Sequence, residues 1–93
     1  MTEQRRLLKM SRENAGYEII NSMKIGENEV VLGAKKEGYV KYVTWECKDG
    51  NNYFWGHYHT DLLTAQKDFC ERCLKNVRFL ENVKKTTKSE PER

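Results

Sequence analysis

The chain has 93 residues and a formal net charge of +3, from 17 basic and 14 acidic side chains. Its length suits one small domain, and the charge excess is too modest to indicate a nucleic-acid-binding protein by itself. No apolar run approaches the ~20 residues of a membrane helix, and no apolar stretch follows the basic residues Arg5 and Arg6 as in a signal peptide. We therefore expect a cytoplasmic protein without a membrane partner.

The first half of the chain predicts a short helix followed by a sheet. Residues 2–13 form the helix, so residues 1–15 are expected to be an N-terminal helical arm that ends at Gly16. Four segments rich in Ile, Val, Thr and aromatic residues then alternate with turn residues. The segments are Tyr17–Lys24, Glu29–Ala34, Val40–Lys48 and Asn52–Tyr58. Short turns between them, above all the Asp49-Gly50 pair, predict a four-stranded antiparallel meander.

A long C-terminal helix is predicted from about residue 61 to about residue 83. Thr60 is a suitable N-cap, Asp61 suits the positive end of the helix dipole, and apolar residues recur near the 3.6-residue period. The expected fold is therefore α+β, with this helix packed on one face of the sheet in a single domain of residues 16–83. Residues 84–93 contain no apolar side chain and the only proline, which predicts a disordered tail.

The aromatic hairpin of the last two strands has two unlike faces. A two-residue turn at Asp49-Gly50 places Val43, Trp45, Cys47, Phe54, Gly56 and Tyr58 on the more apolar face, which we expect the long helix to cover. The other face is left open and is our predicted partner-binding surface, because exposed aromatic patches are enriched at interaction sites. Its candidate residues are Tyr42, Glu46, Tyr53, Trp55 and His57. The alternative is that these aromatic residues only stiffen the hairpin.

The predicted helix is longer than the strands, so its last turns extend past the sheet. Phe79, Leu80 and Val83 lie in those turns and need a cover. We favour the N-terminal Leu7-Leu8 segment as that cover. A homodimer through the C-terminal helix is the alternative.

Metal and enzymatic sites find little support in the sequence. His57-x-His59 and Cys70-x-x-Cys73 have the residue types of a zinc site, but a helix starting at Thr60 would carry Cys70 about 15 Å away from the histidines. The cysteine pair lies mid-helix, whereas redox pairs need a helix N-terminus. We expect no metal and no other cofactor.

Nucleophilic catalysis would need a nucleophile beside a base. Cys47, His57 and Asp49 are the candidates, but the predicted sheet places Cys47 and His57 on opposite faces. An odd count of three cysteines also argues against a disulfide framework and fits a reducing compartment. We expect no catalytic residues and no enzyme.

Nucleic-acid binding needs cations interleaved with aromatic residues. Lys35, Lys36 and Lys41 are the nearby cations of the sheet, and five carboxylates from Glu18 to Glu46 offset them. Basic side chains near both ends of the chain still allow non-specific affinity, which would show a steep salt dependence. Nucleic acid is therefore the second choice of partner.

Three stretches of this chain resemble a group of small proteins from phages and conjugative elements of gut bacteria. They are residues 16–20, Tyr42–Cys47 and Asn52–Tyr58, and the resemblance spans about residues 16–80. It brings no catalytic residues. It implies a context in which small proteins are often anti-defence factors, anti-CRISPR proteins among them. Many of those are acidic mimics of DNA, and this basic chain departs from that pattern.

From residues and resemblance together we expect a non-enzymatic binding protein of a mobile genetic element. It would inhibit a host protein, such as a CRISPR effector, by sterically occupying its surface. A nucleic-acid-binding accessory protein and a sponge for a nucleotide signal are the alternatives, and a nucleotide bound by a sponge would stack on the exposed aromatic residues.

Overall fold

The computed structural model describes residues 12–88, with side chains as far as Val83. It contains β1 (Glu13–Asn14), β2 (Tyr17–Ile25), β3 (Asn28–Ala34), β4 (Tyr42–Lys48), β5 (Asn52–His59) and the helix α1 (Leu62–Lys88). The strands pair antiparallel in chain order and form one curled sheet. The predicted α+β class, the meander and the long C-terminal helix are therefore confirmed.

The sheet has five strands where the sequence predicted four. Ala15 and Gly16 both have positive φ, 52° and 85°, as the two central residues of a tight hairpin turn require. This turn folds Glu13 and Asn14 back onto the start of β2. The predicted N-terminal helix is wrong where it reaches described residues, because Glu13 lies in a strand; residues 1–11 lie outside the described part.

The helix also ends later than predicted, at Lys88 rather than about residue 83. The segment after Val83 lacks apolar residues, which suggested a tail, but lysine is a good helix former and favours continuation of the helix. Residues 89–93 of the predicted tail lie outside the described part of the chain.

Two apolar clusters share the sheet, one on each face. The interior cluster lies inside the curl and consists of Tyr17, Val31, Val43, Trp45 and Cys47, with Ile19 and Tyr53 packed against it. The outer cluster lies between sheet and helix and consists of Val30, Leu32, Ala65, Phe69 and Cys73, with Ile25 and Tyr42 packed against it. The helix therefore covers the outer face.

The prediction that α1 covers the face of Trp45 is wrong because the sheet covers that face itself. Tyr17 on β2 reaches across the curl to Tyr58 on β5, with ring centroids 6.2 Å apart. Trp45 lies between them and makes edge-on contacts with both rings, at 5.8 Å and 6.5 Å. A curled sheet buries its most apolar face without a helix, which a prediction based on a flat hairpin misses.

The β4–β5 hairpin has a three-residue turn and a bulge. Lys48 pairs with Asn52, which leaves residues 49–51 as the turn instead of the predicted pair. The added residue turns Tyr53 toward the interior cluster and pairs Phe54 with Glu46, the reverse of the prediction. A bulge further along restores the predicted faces of His57 and Tyr58, which pair with Thr44 and Val43.

Candidate functional site

The bulge on β5 presents an exposed tryptophan. Trp45 on β4 faces both Trp55 and Gly56, since Phe54 pairs with Glu46 and His57 with Thr44. Trp55 has a φ of 53° and a side chain 73% exposed, with an edge-on contact to Phe54 at 5.1 Å. Left-handed backbone costs a side-chain-bearing residue about 1–2 kcal/mol, and bulges of this kind usually place glycine there. Trp55 is thus both exposed and strained.

The glycine of the bulge is residue 56 rather than the strained residue 55, because position 56 lies against the indole of Trp45. A Cβ atom on Gly56 would lie 2.7 Å from Nε1 and 3.0 Å from Cδ1 of Trp45. The buried indole therefore requires the glycine at the second bulge position. Trp55 takes the left-handed position that a glycine would otherwise relieve.

A buried arginine on the helix holds the bulge in place. Arg72 is 6% exposed, and its Nη2 donates to the carbonyl oxygen of Trp55. Its Nη1 lies 2.8 Å from Oε2 of Glu46, and its Nε donates to Oγ1 of Thr44 at 3.1 Å. Asn76 also donates to Oε1 of Glu46, at 3.2 Å. One helix side chain thus joins β4, β5 and the backbone of Trp55.

Asp68, one turn before Arg72, ties His57 into the same network. Its Oδ2 accepts hydrogen bonds from Thr44 and Arg72 and lies 2.9 Å from Nδ1 of His57. Burial opposes ionisation of this carboxyl, but the hydrogen bonds with Thr44 and His57, together with the charges of His57 and Arg72, outweigh burial and lower its pKa to about 2. His59 is close as well, with its buried Nε2 3.5 Å from Oδ2 and without a hydrogen bond.

The lowered pKa values of Asp68 and Glu29 predict that the fold loses stability in acid. A carboxyl with a lowered folded pKa stabilises the fold above its unfolded pKa of about 3.9 and loses that contribution as the pH falls toward the folded value. For Asp68 the window therefore runs from about pH 4 down to about pH 2. Glu29, whose pKa the hydrogen-bonded Arg12 lowers, acts in the same direction.

Urea unfolding across this pH range checks the prediction. We expect the free energy of unfolding of the unmodified chain to fall between pH 4 and pH 2, and the fall to be shallower in Asp68→Asn, which cannot titrate there. An equal fall in both proteins would contradict the role of Asp68.

A groove of about 300 Å³ lies between β5 and α1, and Arg72 in its lining donates to the carbonyl oxygen of Trp55. Its lining residues are His57, Asp68, Glu71, Arg72, Leu74, Lys75 and Arg78. Asp68 and Arg72 are neutralised by the network beneath, and Glu71 has Lys67 at 4.0 Å. Lys75 and Arg78 form no ion pair with another residue of the described part. The groove therefore carries positive charge at its rim.

Of the five predicted binding residues, His57 lines this groove, and Trp55 is joined to it through the hydrogen bond from the lining residue Arg72 to its carbonyl oxygen. Trp55 is exposed, and the His57 side chain is 56% exposed. Glu46 is 7% exposed beneath the helix, Tyr42 packs against the outer cluster, and Tyr53 lies with the interior cluster beside Arg12. The five do not form one surface, and the binding role of each stays a prediction.

Two helix residues of the site, Asp68 and Arg72, were not predicted from the sequence. Asp68 and Arg72 are four residues apart and lie next to Phe69 and Cys73 of the apolar stripe. Opposite charges at this spacing, inside an otherwise apolar helix face, were the available signal for a buried ionic network.

The structure also shows where the residues of the possible zinc site and of the possible catalytic triad lie. Among residues 12–88, no group of three or more His, Cys, Asp or Glu side chains is arranged to hold a metal ion. Cys47 lies in the interior cluster, whereas His57 shares the helix side of the sheet with Thr44. The three cysteines are free thiols, and of these Cys70 is exposed. No helix within the described range is long and apolar enough to span a bilayer.

No family model, curated protein or solved structure matches this chain. The resemblance to proteins of mobile elements therefore stays a prediction.

Proposed function

We propose that this protein is a non-enzymatic binding protein that uses Trp55 and the groove between β5 and α1 to anchor a partner protein. The observation that carries the proposal is the exposed, strained Trp55 held by the buried Arg72. Backbone strain costs stability, and proteins retain it mainly where function needs the geometry. Tryptophan and arginine are also the residues most enriched at binding hot spots.

Charge narrows the kind of partner surface. Lys75 and Arg78 line the groove without ion-pair partners in the described chain, next to the side of β5 that carries Trp55. A partner that places an apolar pocket over the indole and carboxylates over these cations would complement the site. Such a surface belongs to a protein rather than to the apolar core of a membrane.

The biological role that we propose follows the resemblance of the sequence. The partner would be a host defence protein, such as a CRISPR effector, and inhibition would be steric. A basic chain cannot imitate the phosphate backbone of DNA, so it would block a protein surface directly.

The test begins with a tagged pull-down of the full chain from host lysate, with and without nuclease. Once a stoichiometric protein partner is recovered, its affinity is measured by calorimetry for the unmodified chain and for Trp55→Ala. We expect the substitution to cost about 2 kcal/mol of binding or more, roughly 30-fold in Kd. Circular dichroism checks that the variant is folded.

Tyr39→Ala is the matched control. Tyr39 is an equally exposed aromatic residue, 83% accessible, in the segment between β3 and β4 and away from the groove. Its removal is expected to leave the affinity unchanged. Unchanged affinity in Trp55→Ala, or an equal loss in Tyr39→Ala, would place the binding site elsewhere.

A nucleic-acid partner is the second candidate, favoured by the same two cations. In that case a base would stack on Trp55 while Lys75 and Arg78 contact phosphates. Recovery of nucleic acid alone, with protein partners lost on nuclease digestion and with a steep salt dependence, would overturn the protein-binding proposal in its favour.

A further inference from the structure

We infer that α1 carries a second interface, bordering the groove at Glu71 and Leu74, through which two copies of this chain pair as an antiparallel homodimer. Four apolar side chains, Leu63, Cys70, Leu74 and Val77, are exposed on α1. With 3.6 residues per turn they fall within about 60° of one another around the helix and extend over about 21 Å. Leu63 is 74% exposed and Leu74 48%, so the sheet leaves this stripe uncovered.

The spacing of the stripe matches a reversed copy of itself. Leu63, Cys70 and Val77 are separated by seven residues each. An antiparallel pair centred on Cys70 therefore sets Leu63 of one copy against Val77 of the other, and the two Cys70 side chains against each other. Two-fold symmetry makes the contact between Leu63 and Val77 occur twice. An unrelated helix would have the matching spacing of side chains only by chance.

Opposite charges beside the stripe meet at two places in this arrangement and outnumber the one like-charge approach, which is between the two Glu71 side chains near the axis. Lys67 and Glu71 lie along one border of the stripe, with side chains 75% and 64% exposed. In the antiparallel pair, Lys67 of one copy lies within about 3 Å, along the axis, of the level of Glu71 of the other. Two such pairs form by symmetry. Within one helix the same two groups are 4.0 Å apart and remain accessible.

A charge-swap experiment tests the inference on the full-length chain. Sedimentation equilibrium at about 100 μM, suited to a weak interface, measures self-association. Lys67→Glu alone and Glu71→Lys alone each set like charges opposite and are expected to weaken dimerisation about tenfold. An equimolar mixture of the two variants restores opposite charges, so heterodimers are expected to exceed the two-to-one ratio over each homodimer that random pairing alone gives.

Substitution in the stripe provides the second variant. Leu63→Glu is expected to make the chain monomeric, whereas Tyr39→Glu, an equally drastic change at an exposed site off the helix, is expected to leave the dimer intact. Leu63 does not line the groove between β5 and α1, so partner binding is expected to survive in Leu63→Glu. Loss of the dimer with binding retained separates this inference from the proposed function.

Cys70 reports the geometry of the pair directly. A short bis-maleimide is expected to link two copies through Cys70, since Cys47 and Cys73 are buried. The linked dimer should disappear in Cys70→Ser and fall sharply in Leu63→Glu. A chain that stays monomeric at about 100 μM, or a link that Leu63→Glu leaves unchanged, would overturn the inference.

Discussion

Replacing Arg72 by alanine is expected to destabilise the fold by about 3–5 kcal/mol, because it leaves a buried carboxylate without its partner. Arg72 is 6% exposed and Glu46 is 7% exposed, with 2.8 Å between Nη1 and Oε2. The same substitution removes the donors to Thr44 and to the carbonyl oxygen of Trp55. Urea unfolding at neutral pH measures the loss.

Two further variants identify the cause of that loss. In the double variant Glu46→Leu/Arg72→Met neither charge remains, so most of the lost stability is expected to return. Arg78→Ala removes an exposed arginine from the same helix and is expected to change the free energy of unfolding by no more than about 0.5 kcal/mol. A double variant as unstable as Arg72→Ala would show that lost packing or the lost donors to Thr44 and Trp55, and not the unpaired Glu46, account for the effect.

Replacing Trp45 by alanine is expected to cost about 3–5 kcal/mol, because it empties the centre of the interior cluster. Trp45 is 4% exposed and contacts the rings of Tyr17, Tyr53 and Tyr58. Those rings come from strands on both sides of the curl, so the cavity loosens the sheet as a whole. Thermal and urea unfolding both report the change.

Trp55 in the same hairpin is the matched control for Trp45. Trp55→Ala removes an exposed side chain and a contact to Phe54 worth about 0.5–1.5 kcal/mol, so it is expected to cost far less stability than Trp45→Ala. The order is expected to reverse for partner binding, where Trp55 is the proposed anchor. Equal destabilisation by the two alanine substitutions would contradict the assignment of one tryptophan to the core and the other to the surface.

The local features of the fold follow from sequence, and the features set by distant contacts do not. Alternating strands, the Asp49-Gly50 turn and the periodicity of α1 predicted the meander and the helix. The curl of the sheet depends on Tyr17 meeting Tyr58, residues 41 positions apart, which no local pattern encodes. Without the curl, the more apolar hairpin face was assigned to the helix.

The site was predicted in part for the same reason. Trp55 and His57 are exposed on β5, as the sequence suggested, but the bulge that exposes Trp55 depends on Trp45 packing against Gly56 and on Arg72 from the helix. Alternation along the hairpin placed Glu46 on the less apolar face, which was expected to stay open. In the structure that face lies beneath the helix, and the charge of Glu46 is matched by the buried Arg72, which only the spacing of Asp68 and Arg72 beside the apolar stripe could have indicated.

The proposed binding role of the strained Trp55 is tested most directly by comparing Trp55→Gly with Trp55→Ala. Both remove the indole, but only glycine relieves the left-handed backbone. Trp55→Gly is therefore expected to be more stable than Trp55→Ala by about 1 kcal/mol, as measured by urea unfolding. Both are expected to bind the recovered partner about 30-fold more weakly than the unmodified chain. Equal stability of the two variants, or full affinity in either, would contradict the account.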